Sequence, residues 1–213
     1  MIVLDSAETR ARAGSVIAAG GVLAFRTDTF YGLGADPFNV NALRALVSLK
    51  GRESGKPILV IISDETEAER FIASRTGLFE MVVKRYWPGA LTLVLKAREG
   101  VPAELTAGSG TIGVRLPDDE EVRDLVRACG GALTATSANL AGAPPARTAV
   151  DVARSFPSGL ALIIDGGEAR ADRPSTVLDV SGTSARLIRE GVISRRQLRE
   201  TLQGIGVNLT EDD

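Results

Sequence analysis

The sequence contains no histidine and a single cysteine, Cys129. Without an imidazole, Ser-His-Asp and Cys-His catalysis are excluded, and so is zinc held by histidine. One thiol forms neither an internal disulfide nor a zinc cage built of several thiolates. Cys129 falls in a helical stretch that ends at Gly130-Gly131, where it reads as core packing. Any chemistry must therefore run on lysine, arginine, carboxylates, hydroxyls and backbone donors. Long hydrophobic runs are missing too: none approaches the ~18 residues of a membrane span. The start Met1-Ile2-Val3-Leu4-Asp5 has neither the basic region nor the apolar stretch of a signal peptide, which predicts a cytoplasmic protein without a membrane partner. Nor is there an excess of one charge. Twenty-five Lys and Arg stand against 27 Asp and Glu, a net charge of -2, so the total offers no long-range funnel for nucleic acid, although a local basic cleft stays open.

What is present, 44% hydrophobic and 24% charged residues in a chain of 213, suits one compact domain. We expect a single domain over 1–213, with its core over about 7–203 and a short acidic tail over 204–213 that frays at Glu211-Asp212-Asp213. Asp5 with Glu8 reads as a capping pair opening a helix through Val16 and Ile17 that stops at Gly20-Gly21. A strand over Val22 to Phe25 empties into a polar, glycine-punctuated segment, Thr27 to Gly34, which reads as a loop. Asn39 or Asn41 caps a helix carrying Leu43, Leu46, Val47 and Lys50 at helical spacing, ended by Gly51. Ile58 to Ile62, five aliphatic residues after a proline, has the pattern of a strand buried on both faces, and helix signals resume at Ser63-Asp64. Short strands are predicted at Leu91–Leu95, Ile112–Val114, Leu133–Ala135, Leu160–Ile164, Val177–Val180 and Leu187–Ile188, and Ser194 with Gln197 caps a last helix. Seven or eight strands with interspersed helices predict an α/β architecture built on one large mixed sheet.

Polar residues cluster where strands and helices end, which is where open α/β sheets bind ligands. Lys50-Gly51-Arg52 and Gly55-Lys56-Pro57 place three cations within seven residues between a helix and a buried strand, a set that suits a polyphosphate. It is not a Walker loop: the spacing is one residue short, Pro57 stands where the magnesium-binding hydroxyl belongs, and a strand follows instead of a helix. Lys50 alone also fits a simpler role, complementing the helix dipole. Thr134 to Asn139 puts small hydroxyl and amide side chains at the end of an apolar strand, continuing through Gly142 and Pro144-Pro145; Ser137 and Asn139 suit phosphate or ribose oxygens, or an ordinary capped turn. Arg115 ends the run Thr111-Ile112-Gly113-Val114-Arg115, where a guanidinium grips a carboxylate with two hydrogen bonds or simply meets solvent. Thr27-Asp28-Thr29, Arg173-Pro174-Ser175-Thr176 and Arg189-Glu190-Gly191 form a looser fourth group at strand ends.

In order and spacing, Thr27-Asp28-Thr29-Phe30-Tyr31-Gly32-Leu33, Lys50-Gly51-Arg52, Lys56-Pro57, Trp87-Pro88-Gly89-Ala90-Leu91-Thr92, Gly113-Val114-Arg115-Leu116-Pro117, Ser137-Ala138-Asn139 and Pro174-Ser175-Thr176-Val177 resemble the YrdC family over nearly the whole chain. The resemblance implies an open, twisted sheet around a concave, positively lined cavity. It also implies an enzyme that joins L-threonine, bicarbonate and ATP, with Mg2+, into threonylcarbamoyl-AMP and pyrophosphate for tRNA modification, with tRNA contact and handover to a threonylcarbamoyl transferase complex. By the same resemblance Lys50 and Arg52 are the catalytic cations. Arg52, Lys56, Thr111, Ser137, Asn139, Pro145 and Arg189 surround ATP, and Thr29, Ile61, Arg115, Ala135 and Ser175 surround threonine, with no protein-held metal. The chain ends at Asp213, so the likeness is to the short form without an added C-terminal domain. A carbamoyl-transfer module of the hydrogenase-maturation type would need zinc-binding cysteines that a single Cys129 does not supply. The other alternative is a YciO-like RNA-binding protein without synthase activity, which needs a basic groove but no carboxylate clamp.

Overall fold

In the computed structural model the described residues are 1–51, 57–140 and 142–211, with Glu211 described by its backbone alone. Through them the chain runs β1 (Ile2–Leu4), α1 (Ala7–Ala18), β2 (Leu23–Arg26), β3 (Tyr31–Gly34), α2 (Val40–Leu49), β4 (Val60–Ile62), a 3-10 helix (Glu65–Arg70), α3 (Gly77–Tyr86), β5 (Leu91–Lys96) and α4 (Ala103–Thr106). It continues through β6 (Thr111–Arg115), α5 (Glu120–Ala128), β7 (Ala132–Thr134), β8 (Thr136–Ser137), α6 (Ala149–Ser155), β9 (Leu162–Asp165), β10 (Thr176–Asp179), β11 (Ala185–Arg189), α7 (Arg195–Gln203) and β12 (Leu209–Glu211).

The α/β architecture is as predicted, but the strands form two mixed sheets instead of one, in the orders β1-β9-β2-β3-β8 and β12-β11-β10-β5-β6-β4-β7. The division falls inside the single strand expected at Leu133–Ala135. Ala132–Thr134 pairs antiparallel with β4 in the larger sheet, and Thr136–Ser137 then pairs antiparallel with β3 in the smaller one. Thr134 ties the sheets at the crossing: its Oγ1 accepts from the Ala35 N–H at 2.8 Å while its own N–H donates to the Ala35 carbonyl at 3.0 Å. Apolar residues of β3, β4, β5, α2 and α3 pack into the main core, and a second core lies where Ala13 and Ile17 of α1 and Val122, Leu125 and Val126 of α5 meet Leu23, Phe25 and Leu162. α1 and α5 approach so closely that a Cβ on Gly14 would stand 2.3 Å from the Ala128 carbonyl oxygen.

Several local expectations are corrected. The cap of α1 is Ser6, whose hydroxyl accepts from the Thr9 N–H at 3.1 Å; Asp5 pairs with Arg10 at 2.8 Å. Only 27–30 of the expected loop is a turn, because Tyr31–Gly34 folds back as β3 in register with β2. Asn39, not Asn41, caps α2, accepting from the N–H groups of Asn41 and Ala42. After Asp64 the chain makes a 3-10 helix capped by that carboxylate. β1, unforeseen, pairs parallel with β9, and β12, in the tail expected to fray, pairs parallel with β11. Strands of three residues whose partners are remote in sequence carry almost no local signal. No helix among the described residues is long and apolar enough to cross a membrane.

Candidate active site

A cavity of about 490 Å3 opens between the two sheets. Its floor is one face of the larger sheet, and strand alternation selects the lining: Thr92 and Val94 from β5, Thr111, Gly113 and Arg115 from β6, and Val177 and Asp179 from β10. On β11 the rule breaks, since Arg186, Ile188 and the adjacent Arg189 all face inward. The register explains it: Leu178 pairs with Leu187 but Val177 with Arg189, so Ile188 is an extra residue and the bulge turns Arg189 toward the cavity. The roof comes from the smaller sheet through Thr27, Thr29, Tyr31, Gly32 and the crossing residues Ala135, Thr136 and Ser137.

Thr27 closes the turn that presents Thr29. Its hydroxyl donates to the Phe30 carbonyl at 2.7 Å, accepts from the Thr29 N–H at 3.1 Å and lies 3.1 Å from the Thr29 hydroxyl. Arg115, only 3% exposed, faces this turn: one terminal nitrogen is 3.5 Å from Thr29 Oγ1 and 2.8 Å from Asp28 Oδ1. The contact with Asp28 is an ion pair without an aligned hydrogen bond, for Asp28 Oδ1 and Arg115 Nε are both buried with no hydrogen-bond partner. Burial pushes the Asp28 carboxyl above its usual value, against the pull of Arg115 and of the Asp118 backbone amide. Opposite, Ser175 is 4% exposed, its hydroxyl 3.0 Å from that of Thr92, while Arg189 donates to the Ser175 carbonyl at 2.9 Å. The segment after Arg189 rests directly on this strand end. A Cβ on Gly191 would lie 2.1 Å from the Pro174 carbonyl oxygen, so only glycine allows the contact, and the Gly191 N–H donates to Thr176 Oγ1 at 3.0 Å. Burial, with the charge of Arg115 added, lowers the Arg189 guanidinium below its ordinary value; two cations that feel each other across one hollow favour an anion between them.

Seven of the residues singled out in the sequence therefore meet in one cavity: Thr29, Arg115, Ala135 and Ser175 with Thr111, Ser137 and Arg189. Lys50 joins from outside the wall. As the C-cap of α2 it is 7% exposed, and its ammonium donates to the Ser137 carbonyl at 2.5 Å and lies 3.3 Å from the Ser137 hydroxyl, which is more than a complement to a helix dipole. Asn139 and Pro145 do not line the cavity; Asn139 donates to the Ala143 carbonyl at 2.5 Å within its own turn, leaves Oδ1 buried and unpartnered, and Pro145 is exposed. Ile61 stands in register with Arg115 but is sealed in the second core beside Phe25 and Leu133. Arg52 and Lys56 lie outside the described residues. Sequence reasoning overlooked Asp179 and Arg186, which form an ion pair of 3.0 Å in the wall; the bulge that brings Arg186, Ile188 and Arg189 to one side has no marker in the run Ala185 to Arg189. Among the described residues no group of three or more histidines, cysteines, aspartates or glutamates is placed to hold a metal ion.

Comparison with known proteins agrees in family and fold. The Sua5/YciO/YrdC family model, described as "Telomere recombination", matches residues 15–191. A protein of Pyrococcus abyssi named threonylcarbamoyl-AMP synthase is 35% identical over 92% of this chain, which spans 58% of that relative's length. One of the same name from Thiobacillus denitrificans is 39% identical over 76% of this chain and 86% of its own. The crystal structure of P. abyssi Sua5 complexed with L-threonine superposes with a TM-score of 0.92 at 32% identity, over 98% of this chain and 62% of that one.

Proposed function

The chain belongs to the Sua5/YciO/YrdC family, and on that footing we propose that it makes threonylcarbamoyl-AMP and pyrophosphate from L-threonine, bicarbonate and ATP, for delivery to the enzymes that modify tRNA. The observation that carries the reading is Arg115: a buried guanidinium in the cavity wall with an uncommitted Nε donor. Arg115 lines the cavity while Asp28 balances its charge without an aligned hydrogen bond, and a carboxylate entering the cavity would meet the guanidinium in the two-pronged geometry that arginine prefers. Ser175 and Thr29, on either side, offer hydroxyls to the rest of an amino acid.

In this reading the triphosphate lies toward Ser137, where Lys50 donates to the Ser137 carbonyl, and Arg189, bonded to Ser175 on the larger sheet, faces the same hollow from the threonine side. In this scheme the threonine amine, unprotonated, captures the carbon of bicarbonate with loss of hydroxide as water. A carbamate oxygen then attacks the α-phosphorus, and the P–O bond to the departing pyrophosphate breaks. Magnesium on the triphosphate adds charge neutralisation. The chain's own cations do the remainder by holding both substrates in line and stabilising charge as it moves onto pyrophosphate. With no histidine in the chain, the reading assigns catalysis to positioning and electrostatics and names no covalent nucleophile.

The test is pyrophosphate release from ATP in the presence of magnesium. Release that requires both L-threonine and bicarbonate is the expected result. Folded protein that stays silent with all substrates present overturns the reading and favours an RNA-binding role.

A further inference from the structure

Asp28 lies in the turn between β2 and β3, does not line the cavity and is nearly as buried as Arg115, with side-chain exposures of 8% and 4%. The pair is unusual in its geometry. Charges 2.8 Å apart attract strongly at this burial, yet Asp28 Oδ1 accepts no hydrogen bond and Arg115 Nε donates none. A carboxylate placed only to stabilise the fold would take the two-pronged arrangement, which spends the guanidinium's directed donors. Here the carboxylate balances the charge of a guanidinium that lines the hollow, while Asp28 itself does not.

We propose that Asp28 is a positioning residue for the amino acid substrate: it holds Arg115 by charge against the turn that carries Thr29, so that the guanidinium waits with an open edge for the incoming carboxylate. The inference rests on the reading of Arg115 as the amino acid anchor and goes beyond it, since Asp28 acts through Arg115 without touching substrate. The turn's own bonding supports this division of labour. Thr27 fixes the backbone from the other side through the Phe30 carbonyl, and Arg26, next to it, is locked to Asp119 at 2.9 Å, so the turn has ties of its own beside Asp28. Asp28 balances a buried cation and sets its direction.

The experiment measures threonine and ATP dependence of pyrophosphate release for Asp28→Asn and Asp28→Glu beside the unaltered chain, with melting temperatures. Outer partners of ligating groups are commonly worth about ten- to a hundredfold in affinity. Asp28→Asn is expected to raise the threonine KM by about that factor with the ATP KM held within about twofold, and Asp28→Glu, which keeps the charge but moves it by one methylene, to recover part of the loss. If Asp28→Asn fails to fold, Asp28→Glu decides, and an unaltered threonine KM in that variant sinks the proposal. Equal rises in both KM values assign Asp28 a merely structural role and also overturn it. A silent unaltered chain is a different failure, that of the synthase reading itself.

Discussion

At the scale of single residues, Arg115 shows how much one side chain's surroundings decide. Among the described basic residues, Arg115 is the one that combines a place in the cavity wall with 3% exposure and an unpartnered nitrogen. Arg115→Lys keeps the charge beside Asp28 but removes the planar fork. The expected result is a threonine KM raised by about tenfold or more, since a hydrogen bond to a charged group is worth about 1.5–3 kcal/mol and about 1.4 kcal/mol is tenfold, with little change for ATP. A threonine dependence equal to that of the unaltered chain removes Arg115 from the site. The sequence marked Arg115 through its place at the end of an apolar strand, and Ser137, Ser175 and Thr29 through small polar groups at strand ends. It left Asp179, Arg186 and the role of Asp28 unmarked, because an acidic residue in a turn or near a strand end looks the same whether it faces solvent or a buried guanidinium.

At the scale of elements, two helix starts were legible in the sequence while strand pairing was not, and α3, α4 and α6 went unnamed. The capping box of α7, in which Ser194 and Gln197 bond each other's backbone, was visible in the spacing alone, as was the Asn-capped start of α2. Strand pairing is not local: β1 finds β9 across about 160 residues, and nothing near Ile2 announces it. The α1–α5 contact yields a prediction in which two effects oppose. Within a helix, glycine to alanine should gain about 1 kcal/mol of propensity. At Gly14 the new methyl carbon would meet the Ala128 backbone at 2.3 Å, and backbone does not move aside as a flexible side chain does. Overpacking of this kind costs about 1–3 kcal/mol or more, so Gly14→Ala should lower the denaturation midpoint. A stabilised variant would show that α1 and α5 separate freely and that the packing is looser than drawn here.

At the scale of the whole molecule, the site exists because two sheets share a seam. Thr134 sits at that seam fully buried, bonded to both the Ala35 amide and, at 3.3 Å, the Leu33 carbonyl. Thr134→Val keeps the volume and removes the hydroxyl, stranding a buried amide at a cost of about 1–3 kcal/mol. Because Ala135 and Ser137 follow directly, turnover should fall along with stability, and urea melts read beside pyrophosphate release check both. Loss of stability with turnover per folded molecule unchanged would detach the seam from the cavity's geometry. The α/β class, the helix caps, the buried aliphatic strands and the clustering of hydroxyls and cations at strand ends were determined by the sequence itself, since periodicity, capping and composition act over a few neighbours. The division into two sheets, the bulge that turns Arg189 inward, the burial that leaves Arg115 with an unspent donor, and the meeting of Lys50 with Ser137 were decided only by tertiary structure. Each depends on chain segments tens to more than a hundred residues apart, and local pattern carries no record of which of them will touch.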